Sequence, residues 1–378
     1  MTTDATPGAR IHVVRFAPAK LNLTLAVVGR REDGYHALHS IMVPLSLGDA
    51  LTASAAAPGA VRDSLRVTGL SLSSAPDNLV LRAIAAARTA VAATWHGAPA
   101  APPPLAARLA KRIPVAAGLG GGSSDAAAAI EAALAAWAAS LDPQERVELA
   151  ASLGSDVPFF LAGGAALVTG RGEFVEPLPD FGGEPPAVLL VTPRLPVATA
   201  SVFKAFAGGA RPADAERAAE TSQRLVSEMR AGMTAAGLIE RAAEMASAND
   251  LRPATASIAP GLQSFVRAVE KLVARPVCQS GSGPTLYSLY PTLAEARKAV
   301  RFVRLAAVNG TLPLVGAGEP FVAATTIAGR PRLPAPPPEN GRPAATRPRT
   351  VHNGFDAGDP GLEGPAEERI EPKGEETR

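Results

Sequence analysis

The chain of 378 residues has a single cysteine, Cys278. One thiol excludes an intramolecular disulfide and any cysteine-rich metal site, and a reduced, buried or half-buried thiol is the expected state. An excess of charge of one sign is also missing. Against 37 Lys and Arg stand 35 Asp and Glu, a net charge of +2. That balance gives no footprint for nucleic acid or an anionic membrane, and no basic patch is interleaved with aromatic residues. No run of about 18 residues is apolar enough to cross a bilayer. The nearest, the alanine-rich stretch 126–139, is interrupted by Glu131. The opening MTTDATPGARIHVV has no basic segment followed by an apolar core, so no secretory signal is expected and a cytoplasmic location is. No internal repeat stands out. What is present is ordinary for a globular protein, with 47% hydrophobic and 19% charged residues and enough length for a real core and two domains.

The first part of the chain reads as strands at about 11–15, 21–28, 41–47 and 65–67. A helix is expected from about 77 to 94, capped by Asp77, then a strand at Leu105–Lys111 and a helix over about 124–140. Asp142, followed by Pro143, starts a further helix to about 152. Strands are expected at 165–168 and 187–191. Between about 185 and 196 the chain is expected to cross into a second domain. There, helices at about 201–206, 213–231, 235–246, 262–272 and 293–299 alternate with strands at 285–290 and 321–327. From about 330 onward Pro, Gly, Arg and Glu dominate. Such a segment cannot bury enough apolar surface to offset its ordering entropy, so 330–378 reads as disordered.

The chemistry is concentrated in PVAAGLGGGSSD, residues 114–125, which runs straight into Ala126–Ala129. A helix start leaves its first amide groups unpaired and carries partial positive charge. Glycines let several of those amides converge on one point, which makes an anion site whose usual occupant is phosphate. Ser123 and Ser124 add hydroxyls, one of which could reach a magnesium ion. No lysine follows the glycines, so this is not GxxxxGK[ST], and Gly118–Gly122 fits a dinucleotide GxGxxG badly.

Four smaller motifs are ambiguous alone. PAKLNL puts Lys20 and Asn22 on one face of a strand, either exposed to solvent or functional. LGSDVPFF sets Asp156 among apolar residues, as a partly buried carboxylate needing a partner or as a capping residue. DGYH places Tyr35 beside His36 in a loop, and QSGSGPT, residues 279–285, is a second glycine-rich turn.

In this order, PAKLNL, DGYH, PVAAGLGGGSSDAA, LGSDVPFF and SGSGPT resemble the GHMP kinase superfamily over roughly residues 11–328. Within it, PAKLNL followed by RREDGYH and LGSDVPFF is similar to the branch acting on a cytidine-diphosphate-linked methylerythritol. The resemblance implies an α+β, two-domain GHMP kinase fold. Its N-terminal half would be like ribosomal protein S5 domain 2 and its C-terminal half ferredoxin-like, with the active site in the cleft between them. It implies a division into 1–185, the ATP-binding half, and 186–329. It implies ATP and Mg²⁺ as cofactors and a small-molecule alcohol as partner, with no nucleic acid or membrane partner; monomer and homodimer both stay open. The residues it implies for the ATP phosphates are Pro114, Val115, Ala116, Ala117, Gly118, Leu119, Gly120, Gly121, Gly122, Ser123 and Ser124. Asp156 is implied as catalytic aspartate and Lys20 as its cationic partner. Asn22 would touch the substrate, while Tyr35 and His36 would bind the cytosine and Phe203 would stack on its other face. Alternatives are a homoserine- or mevalonate-type kinase of the same superfamily, or a non-catalytic ligand sensor on that fold.

Overall fold

The structure, a computed structural model, describes residues 12–70, 77–92, 95, 101–209 and 215–330. Apart from Arg330, the stretch read as disordered lies outside the described residues. The first part of the chain begins with two long strands, β1 (His12–Arg30) and β2 (His36–Ala55), paired antiparallel along nearly their whole length. The sequence suggested two strands where β1 is one. Pro18 is tolerated because β2 is the one strand beside this stretch of β1, and the register shifts between Pro18 and Lys20. Next come β3 (Ser64–Gly69), α1 (Leu79–Ala92), β4 (Leu105–Lys111), α2 (Gly121–Trp137), α3 (Pro143–Leu153), α4 (Val157–Ala162), β5 (Ala166–Gly170) and β6 (Phe174–Pro177). The second edge of β2 is shared. Residues 50–55 pair with β4 and residues 38–42 with β5. This leaves Val43–Asp49 without a strand partner from the first part on that edge, and the gap matters below.

Local chemistry explains most of these boundaries. Asp142 caps α3 by accepting the Gln144 amide at 2.9 Å, and the Glu145 carboxylate accepts the Asp142 amide at 3.2 Å. In α1 the capping oxygen is that of Asn78, not Asp77; it accepts the Val80 amide at 3.0 Å. The alanines of α2 are there for close approach. Ala126, Ala129, Ala132 and Ala133 are fully buried and let the helix lie directly on β1 and β2. Enlarging one of them would overpack this layer at a cost of about 1–3 kcal/mol.

The second part contains β7 (Ala187–Thr192), α5 (Thr199–Gly208), α6 (Ala215–Arg230), α7 (Ala235–Glu240), α8 (Ala242–Ser247), α9 (Leu251–Ile258), α10 (Leu262–Val273), β8 (Cys278–Gln279), β9 (Leu286–Tyr290), α11 (Leu293–Val308) and β10 (Phe321–Thr326). Its antiparallel sheet has the order β10-β7-β9-β8. The helix expected over 235–246 is two short ones that meet at Arg241, whose guanidinium pairs with Glu228 of α6 at 3.0 Å. Cys278 is buried, and burial pushes its thiol up to about 12.

The two sheets share their cores. One apolar cluster joins Leu21, Leu23 and Ile41 of β1 and β2 to Val188, Leu190 and Tyr287 of the second sheet. Another joins Leu25 and Val27 to Leu189, Phe265 and Leu286. The gap on β2 is entered by the residues just after β10, where Ala328 donates its amide to Pro44 O at 2.9 Å. No helix among the described residues is long and apolar enough to cross a membrane.

Candidate active site

A cleft of about 810 Å³ is walled by the first sheet and its loops on one side and by α5, Leu251 and the Gly281–Ser282 turn of the second part on the other. Lys20, Asn22, Tyr35, His36, Asp156 and Phe203 all face it, as does the turn from Pro114 to Ser123. Ser124 does not. It is buried in the first turn of α2, and its hydroxyl has no hydrogen-bond partner.

The glycine turn delivers α2 to the cleft with its amides free. Gly120 caps the helix in a left-handed conformation, φ 68°, and no side chain occupies the cap. A Cβ on Gly120 would lie 2.9 Å from both Lys20 Cγ and Phe160 Cζ, so only glycine lets the turn rest on the Lys20 stem. Gly118 is similarly constrained, with φ 79° and the carbonyl oxygens of Ser280 and Gly283 standing where a Cβ would have to go. The turn is pinned from outside. Lys20 donates its amide to Leu119 O at 2.9 Å, and the Ser280 hydroxyl donates to Gly118 O at 2.9 Å.

Lys20 is 4% exposed, so its ammonium must be matched. Lys20 Nζ donates to Asn22 Oδ1 at 2.5 Å and lies 3.5 Å from Asp156 Oδ2. Asn22 is itself fixed on three sides. Its amide nitrogen Nδ2 donates to Ser40 Oγ at 2.8 Å, its backbone N–H to Ser280 Oγ at 3.3 Å, and its carbonyl accepts Tyr287 OH at 3.0 Å. Asp156 stands at the start of α4, yet its side chain makes no capping bond. The carboxylate, 29% exposed, is left to Lys20 and the cleft.

At the far end His36 stacks on Phe203, ring centroids 5.3 Å apart and planes at 24°, and meets the edge of Phe206 at 5.7 Å. Burial, then nearby Arg30, pushes its imidazole below the ordinary range, which favours the neutral ring. Tyr35 is half exposed and pairs with Arg171, whose guanidinium lies 5.4 Å from the ring centroid. The resemblance implied Tyr35 and His36 at the cytosine with Phe203 on its other face; in the structure His36 and Phe203 stack directly on each other.

Sequence reasoning missed the groups beneath the glycine turn. Lys111 Nζ, at the end of β4, donates to Asp125 Oδ2 at 2.7 Å and also to Asp49 Oδ2. Asp49 fills the gap on β2, where its Oδ1 accepts the amides of Arg112 and, at 2.9 Å, of Ile113. Burial pushes Asp125 up to about 7; Lys111 pulls it down and Asp49 pushes it further up. One signal was in the sequence. The alternation Leu105, Ala107, Leu109, Lys111 places this lysine on the buried face of β4, and a buried lysine demands a carboxylate.

Two family models match the chain, GHMP kinases N terminal domain over residues 78–164 and GHMP kinases C terminal over residues 229–309. A 4-diphosphocytidyl-2-C-methyl-D-erythritol kinase from Pelotomaculum thermopropionicum is 39% identical over 295 residues, 77% of this chain and 94% of that one. One from Paramagnetospirillum magneticum is 40% identical over 290 residues, 75% of this chain and 90% of that one. The chain belongs to the 4-diphosphocytidyl-2-C-methyl-D-erythritol kinase family. A crystal structure of 4-(cytidine 5'-diphospho)-2C-methyl-D-erythritol kinase matches with a TM-score of 0.59 at 30% identity, covering 84% of this chain and 100% of that one. A homoserine kinase from Cytophaga hutchinsonii gives the same TM-score of 0.59 at 17% identity, which shows the shared α+β GHMP fold and no more. In this member of the 4-diphosphocytidyl-2-C-methyl-D-erythritol kinase family, the cleft therefore holds an open helix start, a buried Lys–Asn pair, an uncommitted carboxylate and an aromatic end.

Proposed function

We propose that the chain transfers the γ-phosphoryl group of ATP to the 2-hydroxyl of 4-diphosphocytidyl-2-C-methyl-D-erythritol, a reaction of the non-mevalonate route to isoprenoid precursors. The observation that carries this reading is spatial. The uncapped glycine turn and the His36–Phe203 stack open into one cleft that Lys20 and Asp156 also line. The reading divides the chain into an ATP-binding half, 1–185, and a second half, 186–329. The separate sheets, one ending at Pro177 and the other starting at Ala187, support that boundary.

The amides at the start of α2 bind the triphosphate, in a cradle that side chains at Gly118 and Gly120 would fill. The Ser123 hydroxyl and Asp156 carboxylate are hard oxygen donors on the cleft wall and would hold Mg²⁺ together with the triphosphate. When bound, the ion neutralises charge on the phosphates. Phosphoryl transfer passes through a loose transition state, so positioning and charge stabilisation carry most of the catalysis. Asp156 orients the acceptor hydroxyl and takes its proton. The hydroxyl oxygen bonds to the γ-phosphorus as the bond to the β-phosphate oxygen breaks, and ADP leaves with that electron pair. Lys20, held rigid by Asn22, neutralises charge on the migrating group. His36, Tyr35 and Phe203 take the cytosine, which requires the His36–Phe203 stack to open around the base.

An ATP-consumption assay across 4-diphosphocytidyl-2-C-methyl-D-erythritol, mevalonate and homoserine tests the proposal. Turnover with the first alone is expected. Turnover with mevalonate or homoserine instead overturns the substrate, and nucleotide binding without turnover on any acceptor leaves a sensor.

A further inference from the structure

We propose that Asp49, Lys111 and Asp125 form a buried clip that closes the two ends of the glycine turn and thereby sets the affinity for the ATP triphosphate. The proposal rests on the reading of the turn as the triphosphate site.

The geometry is that of a closed ring. At the start of the turn, Asp49 Oδ1 accepts the amides of Arg112 and Ile113, the first two residues beyond β4. At its end, Asp125 sits in the first turns of α2. One ammonium, Lys111 Nζ, reaches both carboxylates. It lies 3.3 Å from where a Cβ on Gly121 would stand, directly under the first residue of the helix. All three side chains are at most 2% exposed, so solvent screens none of these contacts.

Stability is a poor reason for such a cluster. Desolvating three charged groups offsets much of their attraction, and a well-packed apolar trio often does as well. Here one carboxylate oxygen, Asp125 Oδ1, is buried without any hydrogen-bond partner. What the cluster supplies is a fixed distance between residues 112–113 and α2, and with it the curvature that points the amides of the turn at one spot. A glycine-rich segment has little stiffness of its own. Untied at one end, it would populate shapes whose amides diverge, and triphosphate binding would have to reorder it. None of the three residues is assigned a contact with the reacting atoms; they act through the turn, as positioning residues.

The test is steady-state kinetics and thermal unfolding of Asp125→Ala and Asp125→Asn. Removing the carboxylate leaves a neutral Lys111–Asp49 pair, so no buried charge is orphaned. Asp125→Ala is expected to raise KM for ATP about tenfold or more, as misplacement of a positioned group does, while KM for the acceptor stays nearly unchanged. Asp125→Asn keeps an amide oxygen for Lys111 and is expected to recover most of that loss. A lower Tm with unchanged KM for ATP would show a purely structural role and overturn the proposal. So would equal changes in both KM values. If the alanine variant does not fold, Asp49→Asn tests the same point from the other end of the clip, because an amide holds the Arg112 and Ile113 amides less strongly than a carboxylate does. It should raise KM for ATP selectively, and an unchanged KM for ATP would overturn the proposal. Wild-type protein that does not use ATP at all refutes the underlying reading and not the clip.

Discussion

Replacing Asp156 with alanine separates catalysis from stability, because the structure assigns this carboxylate almost nothing to hold. It makes no capping bond to α4, it is 29% exposed, and its one ionic partner lies 3.5 Å away. The carboxylate is open to the cleft but the ammonium it faces is buried, so losing the pair costs about 1–2 kcal/mol, short of what breaking a fully buried pair costs. Lys20 loses its counter-charge but keeps a hydrogen bond, since Asn22 Oδ1 remains 2.5 Å from its ammonium. In a chain of this length each such kcal/mol moves Tm by no more than ~2–4 °C. The catalytic loss should be far larger. A positioned proton acceptor typically contributes about 10²–10⁴ in rate, or about 3–5 kcal/mol of barrier. Coupled ATP-consumption kinetics on purified Asp156→Ala, with a thermal melt of the same sample, measures both quantities. Turnover within about tenfold of wild type would remove Asp156 from the proton-accepting role. A collapse of Tm alongside lost turnover would make the residue structural.

Other perturbations address the rest of the cleft. Phe203→Ala removes the stacking partner of His36 and should raise KM for the cytidine-linked substrate by about 1–3 kcal/mol equivalent, leaving KM for ATP unchanged; equal effects on both substrates would contradict the assignment. Ser280→Ala deletes the hydroxyl that donates to Gly118 O and accepts from the Asn22 N–H. Each buried group left unsatisfied costs about 1–3 kcal/mol, so both KM values should rise together, and an effect on one alone would refute the bridging role. Asp125 titrates near 7 in the fold against an ordinary 3.8. Between those values the folded protein binds the extra proton, so the stability this group contributes is complete below 3.8 and lost as pH rises through 7. The unfolding free energy of wild type relative to Asp125→Asn should therefore fall as pH is raised from about 5 to about 8; a flat or rising difference would contradict it.

What the sequence revealed about the site was local. Four glycines and two serines before an alanine run, residues 118–129, announce an open helix start because neighbours in sequence build it. The pairing of Lys20 with Asn22 was legible from strand alternation, but their burial was not. That depends on the second sheet and on Ser280, 258 residues from Asn22. Asp49 and Lys111 were invisible as partners for the same reason: 62 residues separate them, and they meet only because the edge of β2 opens at Asp49. At the level of fold, residues 11–15 and 21–28 read as two strands but are one, because Pro18 lies where β2 is the one neighbouring strand and its missing donor is dispensable. The helix α4 spans six residues, too few to show a periodicity.

The central claim is that a phosphoryl group moves to one particular hydroxyl, and phosphorus NMR of the product formed from ATP and 4-diphosphocytidyl-2-C-methyl-D-erythritol reads this directly. The 2-hydroxyl sits on a carbon that bears a methyl group and no hydrogen. The account predicts a new phosphomonoester signal without coupling to any proton across its ester oxygen. A new signal split by carbinol protons would place the phosphate on another hydroxyl, and no new signal would contradict the transfer itself.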